Sequence, residues 1–240
     1  MEKTAVLFDV GGVLLELNYS GMYEEGARLT NTTPDQFKQI YNDSGLEISV
    51  LNGDISDETY QKSMKELLGK PNMTREQLED VVSRCWGNEI TDVVDLKERV
   101  YFKGNSPVNI FSNINNFAWG YLSKTFPRML QTFDPEAVPI CSHTSSGVKP
   151  KPMMYQDAQL WAKNTCCSNV ILIEDKPSYI QQGIDNFDWK GIYFTPYVDE
   201  NEAIRYQHGQ NSEVKENSSL KIANTFEELE EALRFFSIKF

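Results

Sequence analysis

Five short apolar runs, each passing into polar residues at its end, constrain this chain more than any other feature. Ala5–Phe8 ends at Asp9, Val108–Phe111 at Ser112, Ala137–Ile140 shortly before Ser142, Val170–Ile173 at Glu174 and Gly191–Phe194 at Thr195. Runs this short and this apolar read as strands buried on both faces, which is the pattern of a parallel sheet. Helical periodicity near 115–125, 153–164 and 177–186 lies between the later runs. Strands alternating with helices predict an α/β domain, with any ligand held at the carboxyl ends of the strands.

Between the first and second runs the pattern turns helical for almost ninety residues. Thr33-Pro34-Asp35-Gln36 is a capping box with proline at the first helical position, and Thr74 with Gln77 forms another. Ser56 caps a helix carrying Tyr60, Met64 and Leu68, stopped by Gly69 and Pro71. Val93, Val94, Leu96 and Val100 mark a fourth helix, ended near Gly104. Four amphipathic helices on short links predict a small bundle spanning about 18–104, set apart from the sheet as a lid. The lid aromatics Tyr41, Tyr60 and Trp86 are expected in the bundle core. Residues 197–219 are polar and aperiodic, a long loop, and Thr225 with Glu228 caps a last helix.

Composition narrows the function. The formal charge of −12 over 240 residues speaks against a nucleic-acid groove, which needs clustered lysine and arginine. No run approaches the roughly 18 apolar residues of a membrane span, and the start of the chain lacks the basic and small-residue marks of a secretory leader. The expectation is a cytoplasmic protein with neither membrane nor nucleic acid as partner. Cys85, Cys141, Cys166 and Cys167 include no C-x-x-C spacing, and with two histidines a structural zinc site is not expected. Cys166 and Cys167 read as ordinary thiols, with redox activity of the adjacent pair the minor alternative. His143 reads as a loop residue.

The polar strand ends make up a phosphoryl-transfer kit. Asp9 opens Asp9-Val10-Gly11-Gly12, Ser112-Asn113 follows the second run, Lys149 lies in Gly147-Val148-Lys149-Pro150-Lys151-Pro152, and Glu174-Asp175 follows the fourth. A carboxylate can attack phosphorus, an acidic pair offers Mg2+ its preferred oxygen ligands, and a hydroxyl, amides and a lysine neutralise the equatorial oxygens. Each residue also has a plainer reading. Asp9 suits a turn, Ser112 and Asn113 suit loop capping, Glu174-Asp175 suits a solvated surface, and Lys151 competes with Lys149.

At these residues the chain resembles the haloacid dehalogenase superfamily, whose four motifs occur here in order and on the expected strand ends, over about residues 4–15 and 106–195. The resemblance implies a Rossmann-like parallel-sheet core, residues 1–17 and 105–240, with an inserted α-helical cap at 18–104. It implies that Asp9 is the nucleophile and a metal ligand and that Gly11 ligates Mg2+ through its carbonyl. It further implies that Ser112 and the Asn113 amide bind the phosphoryl group, that Lys149 neutralises it, and that Glu174 and Asp175 complete the metal site. Phosphatases of the superfamily usually carry a second aspartate where this chain has Gly11, although relatives with an Asp-x-Gly motif lack it. The expected function is Mg2+-dependent hydrolysis of a small phosphorylated metabolite through an aspartyl-phosphate. Metal-independent carbon–halogen hydrolysis and a catalytically silent binding role stay open beside it. Glu16 or a lid carboxylate would replace the missing acid, or Gly11 would serve a backbone conformation reserved for glycine.

Overall fold

The computed structural model describes residues 3–134, 136–145, 147–197 and 215–240. Six strands form one parallel sheet: β1 (Thr4–Phe8), β4 (Val108–Ser112), β5 (Ile140–Cys141), β6 (Asn169–Glu174), β7 (Lys190–Phe194) and β8 (Leu220–Ala223). Their order across the sheet is β5-β4-β1-β6-β7-β8. The chain leaves β1 toward β4 and β5 on one side, then returns to β6, β7 and β8 on the other. That places a topological switch point at β1. Phe8 pairs with both Ile110 and Ile173, so the carboxyl ends of β1, β4 and β6 finish close together.

Alternate strand residues face opposite sides of the sheet, and the sheet is covered on both. Val6, Phe8, Ile110 and Ile171 join the cluster with α6 (Thr91–Phe102) and α10 (Phe226–Phe235). Ala5, Leu7, Phe111 and Leu172 pack with Tyr155 of α8 (Pro152–Asn164) and Ile180 of α9 (Pro177–Phe187). Nearly every residue of β1, β4 and β6 is buried, which is why these strands read as continuous apolar runs.

A separate apolar cluster holds α1 (Ser20–Thr30), α2 (Pro34–Ser44), α3 (Leu46–Leu51), α4 (Asp57–Leu67) and α5 (Arg75–Ser83). Both capping boxes form, at Thr33 and Thr74, and Ser56 caps α4. The helical segment is entered through β2 (Leu15–Leu17) and left through β3 (Trp86–Glu89), which pair antiparallel. The expected lid of 18–104 therefore runs too far. Val93, Val94, Leu96 and Val100 of α6 belong to the sheet's cluster and none to the lid's. Amphipathicity shows that a helix has an apolar face, not which neighbour covers it.

Three further elements differ from the sequence reading. The run Ala137–Ile140 contributes to the sheet only from Ile140, and Val138 is exposed. The β2–β3 ribbon, too short for a strand pattern to show, and α1, which has no side-chain cap at its start, were not expected. The strand β8 lies within five residues of the loop expected at 197–219, of which 198–214 falls outside the described residues. Among the described residues no helix is long and apolar enough to cross a membrane.

Candidate active site

The carboxyl ends of β1, β4 and β6 gather the polar residues picked out above. Asp9 follows β1, Ser112 closes β4, and Glu174 closes β6 with Asp175 after it. Asp9, Ser112, Lys149 and Glu174 are each less than 5% exposed, on a molecule whose buried residues are otherwise almost all apolar. Buried charge persists only where it is paired and hydrogen-bonded, and here it is. Lys149 Nζ donates to the Glu174 carboxylate, and to the Phe111 carbonyl at 2.9 Å. It lies 3.0 Å from Asp9 Oδ1. Asn113 holds the Lys149 backbone from both sides, its Oδ1 accepting from the amide at 2.8 Å and its Nδ2 donating to the carbonyl at 3.0 Å. Lys149 is thus the lysine drawn inward, and Lys151 is exposed.

Electrostatics divide the three carboxylates. Burial opposes ionisation of Asp9, but Lys149, Lys176 and a hydrogen bond from Ser112 outweigh it and hold the carboxyl below its ordinary value. Burial, reinforced by the charge on Asp9, pushes Glu174 well up despite Lys149. Burial opposes the charge on Lys149 too, yet Asp9 and Glu174 overcome it and raise its pKa. Lys176 behaves alike: burial works against its ammonium, and Asp175, Glu174 and Asp9 together raise it well above the ordinary value. With Asp175, the cluster sets three carboxyl groups beside two lysines.

The donor set suits a hard cation. Asp9, Glu174 and Asp175 each offer a carboxylate oxygen, all within 4.8 Å of one another. Asp9 Oδ1 and Asp175 Oδ1 are buried and accept no directed hydrogen bond. The lysines lie beside them, Lys149 Nζ 3.0 Å from Asp9 Oδ1 and Lys176 Nζ 3.4 Å from Asp175 Oδ1. Glu174 differs, since Lys149 takes one oxygen and the amides of Asp175 and Lys176 take the other, at 3.1 and 3.2 Å. Carboxylate oxygens gathered this closely are the donor type that Mg2+ prefers.

Asp9, Gly11, Ser112, Asn113, Lys149 and Lys176 line a cavity of about 100 Å³, together with Ile114, Asn115, Ala118 and Tyr179 of the core and residues of the lid. Tyr41 and Tyr60, expected only as bundle core, do both jobs, packing in the lid cluster and facing this cavity. Sequence reasoning missed Lys176, although its position directly after the acidic pair was a signal. It also missed Glu47, Tyr19 and Leu17, whose place in the cavity is visible only once the lid folds over the sheet. His143 is occupied elsewhere: its Nδ1 is 2.9 Å from the Ile114 carbonyl and its ring packs, tilted, against Trp119. All four cysteines are free, and Cys141, Cys167 and Cys85 are buried.

No protein-family model matches the chain, and no curated protein matches it in sequence. Solved structures do match in shape. The HAD family enzyme bt-2542 from Bacteroides thetaiotaomicron aligns with a TM-score of 0.65 at 18% identity, over 85% of this chain and all of that one. A structure of the same enzyme in complex with magnesium and inorganic phosphate aligns with a TM-score of 0.64 at 18% identity, over 84% and 98%. An L-2-haloacid dehalogenase from Xanthobacter autotrophicus, with chloropropionic acid covalently bound, reaches 0.56 at 14% identity, over 98% and 99%. A parallel sheet switching at β1, a lid between its first two core strands and these whole-length alignments give one result: the chain has the fold of the haloacid dehalogenase superfamily.

Proposed function

We propose that this protein is a Mg2+-dependent phosphate-monoester hydrolase that works through an aspartyl-phosphate at Asp9. The observation that carries the reading is the trio Asp9, Glu174 and Asp175, the first two buried and the third half-buried, whose carboxylates each bring an oxygen within 4.8 Å of the others. Hydrolysis of a carbon–halogen bond needs no such arrangement. That bt-2542 has been crystallised with magnesium and inorganic phosphate is consistent with the same chemistry on the same fold.

Asp9 is ionised, since its carboxyl is held below the ordinary value, and so is a competent nucleophile. One carboxylate oxygen bonds to phosphorus as the bond to the leaving oxygen breaks. Water then attacks the phosphorus, the bond to Asp9 breaks, and phosphate departs. The Ser112 hydroxyl and the Asn113 backbone amide bind the phosphoryl oxygens, and Lys149 neutralises them. The residues that would hold Mg2+ are Asp9, Asp175 and the Gly11 carbonyl, with Glu174 fixing Lys149 and the loop amides. Mg2+ bound there would supply positive charge toward the phosphate and orient it.

The same fold serves a covalent carbon–halogen reaction in the Xanthobacter enzyme, and Gly11 removes the second aspartate usual in phosphatases. Metal removal separates the two readings. EDTA is expected to abolish turnover of a panel of phosphate esters and Mg2+ to restore it, while Asp9→Asn abolishes it with the fold intact by circular dichroism. Phosphate-ester turnover that survives EDTA would overturn the metal-dependent mechanism. Activity retained by Asp9→Asn would remove the nucleophile.

A further inference from the structure

The lid side of the cavity is chemically unlike the core side. The core brings two lysines, a serine, Asp9 and Tyr179, whereas the lid brings Tyr19, Tyr41, Tyr60 and Trp86 among apolar side chains, with one formal charge, Glu47. No lysine or arginine of the lid lines the cavity. Tyr19 donates its hydroxyl to Glu47 Oε1 at 2.7 Å, tying the end of β2 to α3. The Tyr41 and Tyr60 hydroxyls are bonded to each other, and burial, helped by the charge of Glu47, raises both pKa values and keeps both phenols neutral. Glu47 is only partly buried and sits on a six-residue helix opened by the left-handed Gly45.

Aromatic faces are electron-rich and attract cations, and a carboxylate beside them adds a full charge. Such a group disfavours an anionic or purely hydrocarbon end and rewards an ammonium. Taking the phosphatase reading as its basis, we propose that Glu47, set among Tyr19, Tyr41, Tyr60 and Trp86, selects phosphomonoesters whose far end carries a protonated amine. The phosphate then lies against Lys149 and Ser112, and the amine lies under the lid. A cavity of about 100 Å³ restricts the bridge between them to a few atoms. The opposite charges of the two ends also fix the direction in which the substrate enters. Recognition of this kind acts on binding and is independent of how readily the leaving oxygen departs.

The test measures binding by calorimetry on Asp9→Asn with Mg2+ present, so that no probe is consumed. The probes are 2-aminoethyl phosphate, its neutral counterpart propyl phosphate, and the anionic phosphoglycolate. The expected order of affinity is amine, then propyl, then carboxylate, with about 10- to 100-fold between the first two. Glu47→Gln should collapse that ratio toward one. Equal affinity for amine and propyl esters, or a preference that survives Glu47→Gln, overturns the assignment. Wild-type kcat/KM on these esters and on an aryl phosphate, whose leaving oxygen departs without a general acid, separates the two levels of the argument. A Glu47-dependent preference in binding with no turnover of any ester supports the amine site and overturns the phosphatase reading. Failure of all three esters to bind overturns both.

Discussion

Gly11 holds the position of the second aspartate usual in phosphatases of this fold, and its surroundings show why glycine is there. Its φ is not in the left-handed region. A Cβ at Gly11 would come within 2.5 Å of Leu17 Cδ1, so Leu17, from the ribbon that leads into the lid, fills the space. Nor does Glu16 replace the missing acid, because its Oε2 accepts from the amide and side chain of Asn88 at 3.2 Å, outside the cavity lining. A positioned general acid is worth about 10²–10⁴-fold, most where the leaving group is poor. The wild type is therefore expected to favour aryl, acyl and anomeric phosphates over alkyl ones. Gly11→Asp alone should damage the loop, while Gly11→Asp with Leu17→Ala should recover selectively on alkyl phosphates. A wild type indifferent to leaving-group acidity, with chemistry rate-limiting, would defeat this account. Gly12 is constrained twice, by a φ of +74° and by Asp175 at 2.9 Å from any Cβ, which binds the turn after Asp9 to the acidic pair.

At the level of elements, packing overrides propensity in α1. Alanine for glycine inside a helix ordinarily stabilises by about 1 kcal/mol. At Gly26 the new Cβ would lie 2.2 Å from the ring of Phe37, where α1 crosses α2. Gly26→Ala is expected to destabilise by about 1–3 kcal/mol in urea unfolding, and a stabilising result would show that the lid repacks freely. In α6, Lys97 is 1% exposed and donates to the carbonyls of Met129 and Gln131, the latter at 2.7 Å, fastening the helix to the segment after α7 (Asn116–Thr125). Burial pushes its pKa down to about 7, against the pull of Glu98 and Glu89. In the unfolded chain the group titrates near 10.5. Between these values the unfolded state binds the extra proton, so stability rises with pH, by up to about 1.4 kcal/mol per unit. Urea unfolding at pH 7, 8 and 9 should show wild type gaining on Lys97→Met at each step. A constant difference would mean that Lys97 stays charged in the folded protein.

For the molecule as a whole, the proposed metal site forms only when the ends of β1 and β6 meet, so Mg2+ bound there should stabilise the native state by mass action. At a hundredfold excess over Kd the gain is about 2.7 kcal/mol. Thermal unfolding should move upward with Mg2+ in the wild type and hardly at all in Asp175→Ala. An equal shift in both would place the ion elsewhere. The lid belongs to this scale as well, because Phe117 of α7 is buried in the lid's own cluster and its ring packs, tilted, against Tyr60. The lid is thereby held over the strand ends, and the cavity takes one wall from each.

Some of this was written into the chain locally. Ala5–Phe8, Val108–Phe111 and Val170–Ile173 declare strands buried on both faces, because such strands leave no polar alternation to misread. The capping boxes at Thr33 and Thr74 fix helix starts through bonds spanning three residues. Asp9, Ser112, Glu174 and Asp175 were legible as polar residues at the ends of apolar strands and Lys149 as part of a lysine–proline loop, although each also suited a plainer role. What lay beyond the sequence depends on partners distant in the chain. That α6 covers the sheet and not the lid, that Leu17 fills the space beside Gly11, and that Glu47 and Tyr60 meet Asp9 across one cavity are all contacts between segments whose local patterns are indifferent to one another. Periodicity determines which face of an element is apolar, whereas only the folded chain decides what that face is pressed against.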